Sequence, residues 1–134
     1  MRALTVFIAL LATTALVACG AGGTDSSGDF EGEQREVASA IEELQTAAGD
    51  DDASEICRTL LAQSLLREIG SDQACRDRVA KALDAADTTE LEVESVQVDG
   101  TNATARVKSG SGDSATTRTV RLTREGRNWK IASL

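Results

Sequence analysis

Leu91-Glu92-Val93-Glu94-Ser95-Val96-Gln97-Val98-Asp99-Gly100-Thr101-Asn102-Ala103-Thr104-Ala105-Arg106-Val107-Lys108 decides the fold. Apolar and polar residues alternate along it, which is the period of a strand with one buried face. Asp99-Gly100 stands between two such runs and is a strong signal for a two-residue hairpin turn. In the second run Thr101, Ala103, Ala105 and Val107 share one face, while Asn102, Thr104, Arg106 and Lys108 share the other. In the first run Leu91 and Val93 are out of phase with Val96 and Val98. An extra residue near Ser95 restores the phase, and the resulting bulge curls the sheet.

Downstream, Ala115 to Thr123 and Asn128 to Leu134 read as two further strands. Ser109-Gly110-Ser111-Gly112-Asp113 is a glycine-rich loop before them, and Arg124-Glu125-Gly126-Arg127 is a tighter turn between them. Val120 and Leu122 share parity, as do Trp129 and Ile131, so each pair faces the core. Arg118 has the parity of Val120 and Leu122. It is a candidate for ligand binding, lining the mouth of the curled sheet and holding an anion. The alternative is a charged strand end in water.

Upstream, the period changes to that of helices. Phe30, Val37, Ile41, Leu44 and Ala48 fall on one helical face, with Glu33, Arg35, Glu36, Glu42 and Glu43 around the rest. Gly49 is expected just past the helix end, as a C′ glycine. Asp50-Asp51-Asp52 resembles the start of a calcium loop, but an EF-hand needs glycine sixth and glutamate twelfth, where Glu55 and Leu61 stand. Asp52 with Glu55 three residues on fits a capping box instead. Ile56, Leu60, Leu61, Leu65, Leu66 and Ile69 mark a second helical segment, ending at Gly70. Cys75, Val79, Ala82, Leu83 and Ala86 mark a third, starting near Ser71 or Asp72. Helices followed by an antiparallel meander give an α+β domain, with the N-terminal helices packed on one face of a curled four-stranded, cone-like sheet.

At the N-terminus, Met1-Arg2 precedes an apolar run from Ala3 to Ala15. The run is shorter than the ~20 residues that span hydrocarbon as a helix. Leu16-Val17-Ala18-Cys19 closes it and is similar to the lipobox of bacterial lipoproteins. That resemblance implies a lipoprotein signal peptide over 1–18, removed to leave Cys19 as a lipidated N-terminus. The protein is then extracytoplasmic and held on the cell membrane by lipid. The competing readings are an ordinary signal peptide cut near Ala18 and an uncleaved anchor. Residues 19–29, rich in glycine and serine, read as a flexible tether, and 30–134 as one α+β domain.

The formal net charge is −8. Residues 19–90 carry 17 acids and 6 bases; residues 91–134 carry 5 acids and 7 bases. An acidic chain lacks the basic footprint of nucleic-acid binding, so nucleic acid is not an expected partner. With Cys19 assigned to lipid, Cys57 and Cys75 remain, and an oxidising compartment favours a disulfide between them. Each lies in the first turn of a helical segment. In one unbroken helix, residues 57 and 69 would stand ~18 Å apart, beyond the ~7 Å Cα separation that a disulfide allows. The bridge therefore requires a break near Gln63-Ser64, giving short helices over about 53–62 and 64–69. Two buried thiols on an unbroken helix remain the alternative, and a redox-active pair is a third; the spacing is far from C-x-x-C.

The succession of a helix, Gly-Asp, two cysteine-bearing helices and strands ending in Gly126-Arg127-Asn128-Trp129-Lys130-Ile131 resembles the nuclear-transport-factor-like (cystatin-like) α+β domains. Small versions of these occur as bacterial lipoproteins. Enzymes of that group place Asp, His or Tyr in the cone, and this chain contains no His and no Tyr. No catalytic residue, metal ligand or cofactor is therefore assigned. The expected function is a non-enzymatic binding or interaction module whose partner is an apolar small molecule or an envelope protein. Its rivals are a small isomerase- or hydrolase-like enzyme using a carboxylate in the cone, and a carrier or chaperone for apolar cargo.

Overall fold

The four strands form one antiparallel sheet in the order β1-β2-β3-β4: β1 (Leu91–Asp99), β2 (Asn102–Ser109), β3 (Thr116–Glu125) and β4 (Asn128–Ser133). They are seen in a computed structural model that describes residues 26–134. The signal peptide expected over 1–18, Cys19 and the tether as far as residue 25 lie outside the described residues. The β1–β2 ladder shifts register between Val93 and Ser95. Glu94 is the extra residue, and the bulge turns both Val93 and Val96 into the core. The turn itself is Gly100-Thr101, one residue later than expected, because Asp99 still pairs with Asn102. Gly100 has a φ of 61°, the left-handed value that the first position of a type II′ turn requires.

One sheet face is solvated and charged. Glu92 pairs with Lys108 at 3.5 Å, and Glu94 with Arg106 at 3.9 Å. The other face holds Ala103, Ala105, Val107, Val120, Leu122, Trp129 and Ile131, all buried. Helices cover that face, so the domain is α+β with its helices packed on a curled, open sheet. In α1 (Gly32–Gly49) the buried stripe is Val37, Ala38, Ala40, Ile41, Ala47 and Ala48. These share one core with the alanines of β2. Small side chains on both elements let helix and sheet approach closely.

The ends of α1 differ from expectation. Phe30 precedes the helix rather than opening it, and Gly49 is its last residue rather than the one beyond. The left-handed turn falls on Asp51, φ 55°, a residue whose short polar side chain tolerates that conformation. Asp52 then caps as expected: its Oδ1 accepts the Glu55 N–H at 2.9 Å.

The second helical segment does break. Helix α2 (Ala53–Glu55) runs into a π-helical turn, Ile56–Leu60, and Leu61 and Ala62 are extended. The break comes before Gln63-Ser64 because the chain leaves the helix to join the sheet. The Ala62 N–H donates to the Ile131 carbonyl at 2.8 Å, and Leu61 bridges to Ile131 in parallel. Helix α3 (Gln63–Ile69) ends at Gly70, φ 105°. The Ser71 hydroxyl then caps α4 (Asp72–Asp84), accepting the Ala74 N–H at 3.1 Å. The fold-back brings Cys57 and Cys75 into a disulfide with a Cα separation of 6.1 Å. No described helix is long and apolar enough to cross a membrane.

The end of the expected tether is ordered structure. Ser26–Asp29 is a 3-10 turn packed against α1 and β1. Its composition reads as linker, but the Ser26 hydroxyl is what an edge strand needs. Buried, it accepts the Val93 N–H at 3.0 Å, while the Ser27 N–H donates to Glu42 at 2.7 Å. Removing one partner of a buried hydrogen bond costs about 1–3 kcal/mol. Ser26→Ala is therefore expected to lower stability within that range in urea unfolding. An unchanged midpoint would mean that the Val93 N–H finds another acceptor.

Candidate functional site

Between α1, the end of α4 and the concave side of the sheet lies an open cleft of about 740 Å³. That is within the ~300–1,000 Å³ range of small-ligand sites. Its floor comes from elements already described: Ile41 and Leu44 of α1, Leu91, Val107 and Val120 of the sheet. Ala82, Ala85 and Ala86 form one wall, and Leu134, 68% exposed, stands at the rim. The cleft exists because α4 does not close onto the sheet. Cys75 is its one fully buried residue, and it packs on α2, the π-helical turn and α3.

Charge around the cleft is divided. Asp87 and Glu90 stand on the side where β1 begins, and Arg118 stands on the β3 side. Arg118 faces inward as its parity predicts, opposite Val107 in the β2–β3 ladder, and it is exposed. It makes no hydrogen bond or ion pair among the described residues. Two of the cleft's hydroxyls are tied to backbone groups. Thr88 Oγ1 accepts the Glu90 N–H at 3.0 Å, and Ser114 Oγ donates to the Ser111 carbonyl at 3.3 Å. Among the described residues no group of three His, Cys, Asp or Glu side chains is arranged to hold a metal ion. A second depression gathers Glu42, Glu43, Asp50, Asp52 and Glu55 at the α1–α2 corner. Five of the 17 acids of residues 19–90 are gathered there, away from the cleft.

Of the residues singled out in the sequence, Cys57 and Cys75 are joined beneath α4, and Arg118 lies at the cleft; Cys19 falls outside the described residues. Leu44, Leu91 and Leu134 were not anticipated as cleft residues. Their apolar character was legible, but not that the helix layer stops short of them. Gln34 and Gln45 were also missed. Gln45 Oε1 accepts the Leu91 N–H at 2.8 Å, and Gln34 Nε2 donates to the Val96 carbonyl at 3.0 Å. Uncharged amides bordering the apolar stripe of an otherwise acidic helix were the available signal.

Comparison with known proteins adds no relative: no family model matches the chain, and no curated protein is significantly similar to it.

Proposed function

We propose that the chain is a lipid-anchored, extracytoplasmic envelope protein whose cleft binds a ligand without chemical turnover. The cleft carries this reading, an apolar floor of ligand-binding size with a single unpaired cation at its edge. The ligand is a small apolar molecule or a segment of an envelope protein. Against the enzymatic rival, no inward strand position holds a carboxylate, and the cleft's two acids, Asp87 and Glu90, stand exposed on the segment before β1. The order of elements also supports kinship with the nuclear-transport-factor-like domains.

The anchor reading rests on Leu16-Val17-Ala18-Cys19 and adds a geometric consequence. Ser26 is fixed at the edge of β1, and only seven residues, Cys19 to Asp25, precede it. At ~3.3–3.6 Å per residue this span reaches at most about 25 Å. The domain would therefore work close to the bilayer. Two or more acyl chains on Cys19 would make attachment stable, each buried CH₂ contributing ~0.8 kcal/mol.

Cys19→Ala is expected to abolish acylation and lipoprotein-type processing, read by intact mass and membrane fractionation. A variant that still appears as a stable acylated species would overturn the anchor. For the cleft, native mass spectrometry of the purified protein should find a bound molecule, lost on substituting the exposed Ala86 of the cleft wall by Trp. A ligand retained by that variant would place binding elsewhere.

A further inference from the structure

Two of the sheet's three stretches of edge are covered, and each cover is explicit. The outer edge of β1 is blocked by side chains standing where a strand would be: Gln45 on Leu91, Ser26 on Val93 and Gln34 on Val96. The outer edge of β4 is taken by the extended residues Leu61 and Ala62 on Ile131. Next to it, the second half of β3 is covered by β4 itself, from Arg121 to Glu125. The first half of β3 is different. Thr116 to Thr119 pair with β2 on one side, but the β3–β4 ladder begins only at Arg121. Among the described residues nothing pairs with the outer side of that stretch, and it borders the cleft, to which Thr116, Arg118 and Val120 contribute.

Resting on the cleft reading, we infer that the ligand is an extended, acidic peptide segment that adds as a strand to β3 at Thr116–Thr119. Four residues of edge span ~13 Å at ~3.3 Å each. Backbone hydrogen bonds would supply affinity, and alternate side chains would enter the cleft, as in other strand additions. Complementarity sets the peptide's chemistry. From Thr116 to Arg124 the strand has Arg118, Arg121 and Arg124 and no acid. Arg124 is already paired with Glu33 and Glu36, and the Arg121 Nε donates to the Ser133 hydroxyl. Arg118 alone is unpaired and faces inward. A glutamate opposite it, flanked at alternate positions by valines opposite Thr116 and Val120, fits the site. A second copy of this chain does not. Antiparallel self-pairing over Thr116–Val120, centred on Arg118, would set Arg118 against Arg118, and like charges directly opposite are destabilising. The same arginine that discourages edge-to-edge association thus selects an acidic partner.

The probe is acetyl-Val-Thr-Glu-Thr-Val-amide, fluorescently labelled and titrated into the full chain in nonionic detergent. Saturable binding is expected, with backbone amide shifts concentrated at Thr116 to Val120. N-methylation of the peptide amides that face β3 should abolish binding, and N-methylation of the alternate set should leave it. Arg118→Glu should weaken the glutamate peptide about fivefold, the scale of a partly exposed charge pair, and a peptide with lysine in place of glutamate should recover the loss. Equal binding of both N-methylated series, or shifts confined to other elements, overturns strand addition. If dodecanoate binds with shifts at Ile41, Leu44 and Val107 while no peptide does, the peptide inference fails and the cleft reading stands. If neither binds, both fail.

Discussion

Trp129→Ala is expected to leave the domain marginally folded or unfolded. Trp129 is 5% exposed and belongs to the core with Ile131, its partner in parity on β4. The core around it is built largely from small residues, the alanines of α1 and β2 among them. Only one other aromatic, Phe30, contributes to it, and Phe30 is half-buried. The aliphatic side chains that share this core can fill only part of the space that a lost indole leaves. Truncating a buried tryptophan costs about 3–5 kcal/mol, against a total stability of about 5–15 kcal/mol for a domain. The ring is also roofed. Arg124, its cross-strand partner, lies 5.5 Å from the ring centroid and is held there by Glu33 at 2.6 Å and Glu36 at 3.3 Å on α1. Losing the indole releases this clamp between the strand end and the helix. The indole Nε1 is buried with no hydrogen-bond partner among the described residues. Trp129→Phe removes that unsatisfied donor while keeping an aromatic, and should cost clearly less than Trp129→Ala. Circular dichroism in urea reads both variants. In the parent, tryptophan emission should be blue-shifted and move red on unfolding. An alanine variant as stable as the parent would mean that Trp129 contributes nothing to the core.

The sheet was legible because strand side chains have a period of two and their phase can be followed residue by residue. The shift of phase between Val93 and Val96 was enough to place a bulge beside Ser95. The disulfide was legible for a different reason: chain geometry allows it only if the helix between the cysteines breaks. Where it breaks was not legible. Leu61 and Ala62 are extended because Ile131, far along the chain, offers a carbonyl, and no residue near position 61 announces that bond. Gly49 misled for a related reason. Glycine favours the residue after a helix, yet here Asp51 takes the left-handed turn. Ser26 misled because composition cannot separate a serine in water from one that meets an edge N–H. Of the cleft, the inward parity of Val107, Arg118 and Val120 and the apolar face of Ile41 and Leu44 could be read in advance, but not that they border an opening. Its depth depends on how far α4 stands from the sheet, and hydrophobic periodicity carries no distance.

Removing the Cys57–Cys75 bridge should cost both stability and the cleft. The disulfide closes a loop of sequence separation 18, worth about 3 kcal/mol in the chain-entropy account. Replacing both cysteines with alanine removes the covalent link without burying a hydroxyl. Loss of stability would not be spread evenly. Helix α4 has Cys75 as its only fully buried side chain, with Val79 and Leu83 half-buried, and much of its surface is solvated. Its Arg76–Asp72 pair is local and exposed, and such pairs contribute little. Without the bridge, α4 would be held by two half-buried side chains. It should open at lower free energy than the sheet, which keeps its ladders and its cover by α1. Ala82, Ala85 and Ala86, one wall of the cleft, follow directly on α4 or lie within it. The double variant is therefore expected to unfold at lower urea concentration, to lose amide protection over 72–84 first, and to lose whatever binds the cleft while β1–β4 remain protected. If its midpoint matches the parent's and α4 exchanges as slowly as the strands, then packing rather than the bridge holds this helix. The cleft would then be a property of the core, not of the cysteine pair.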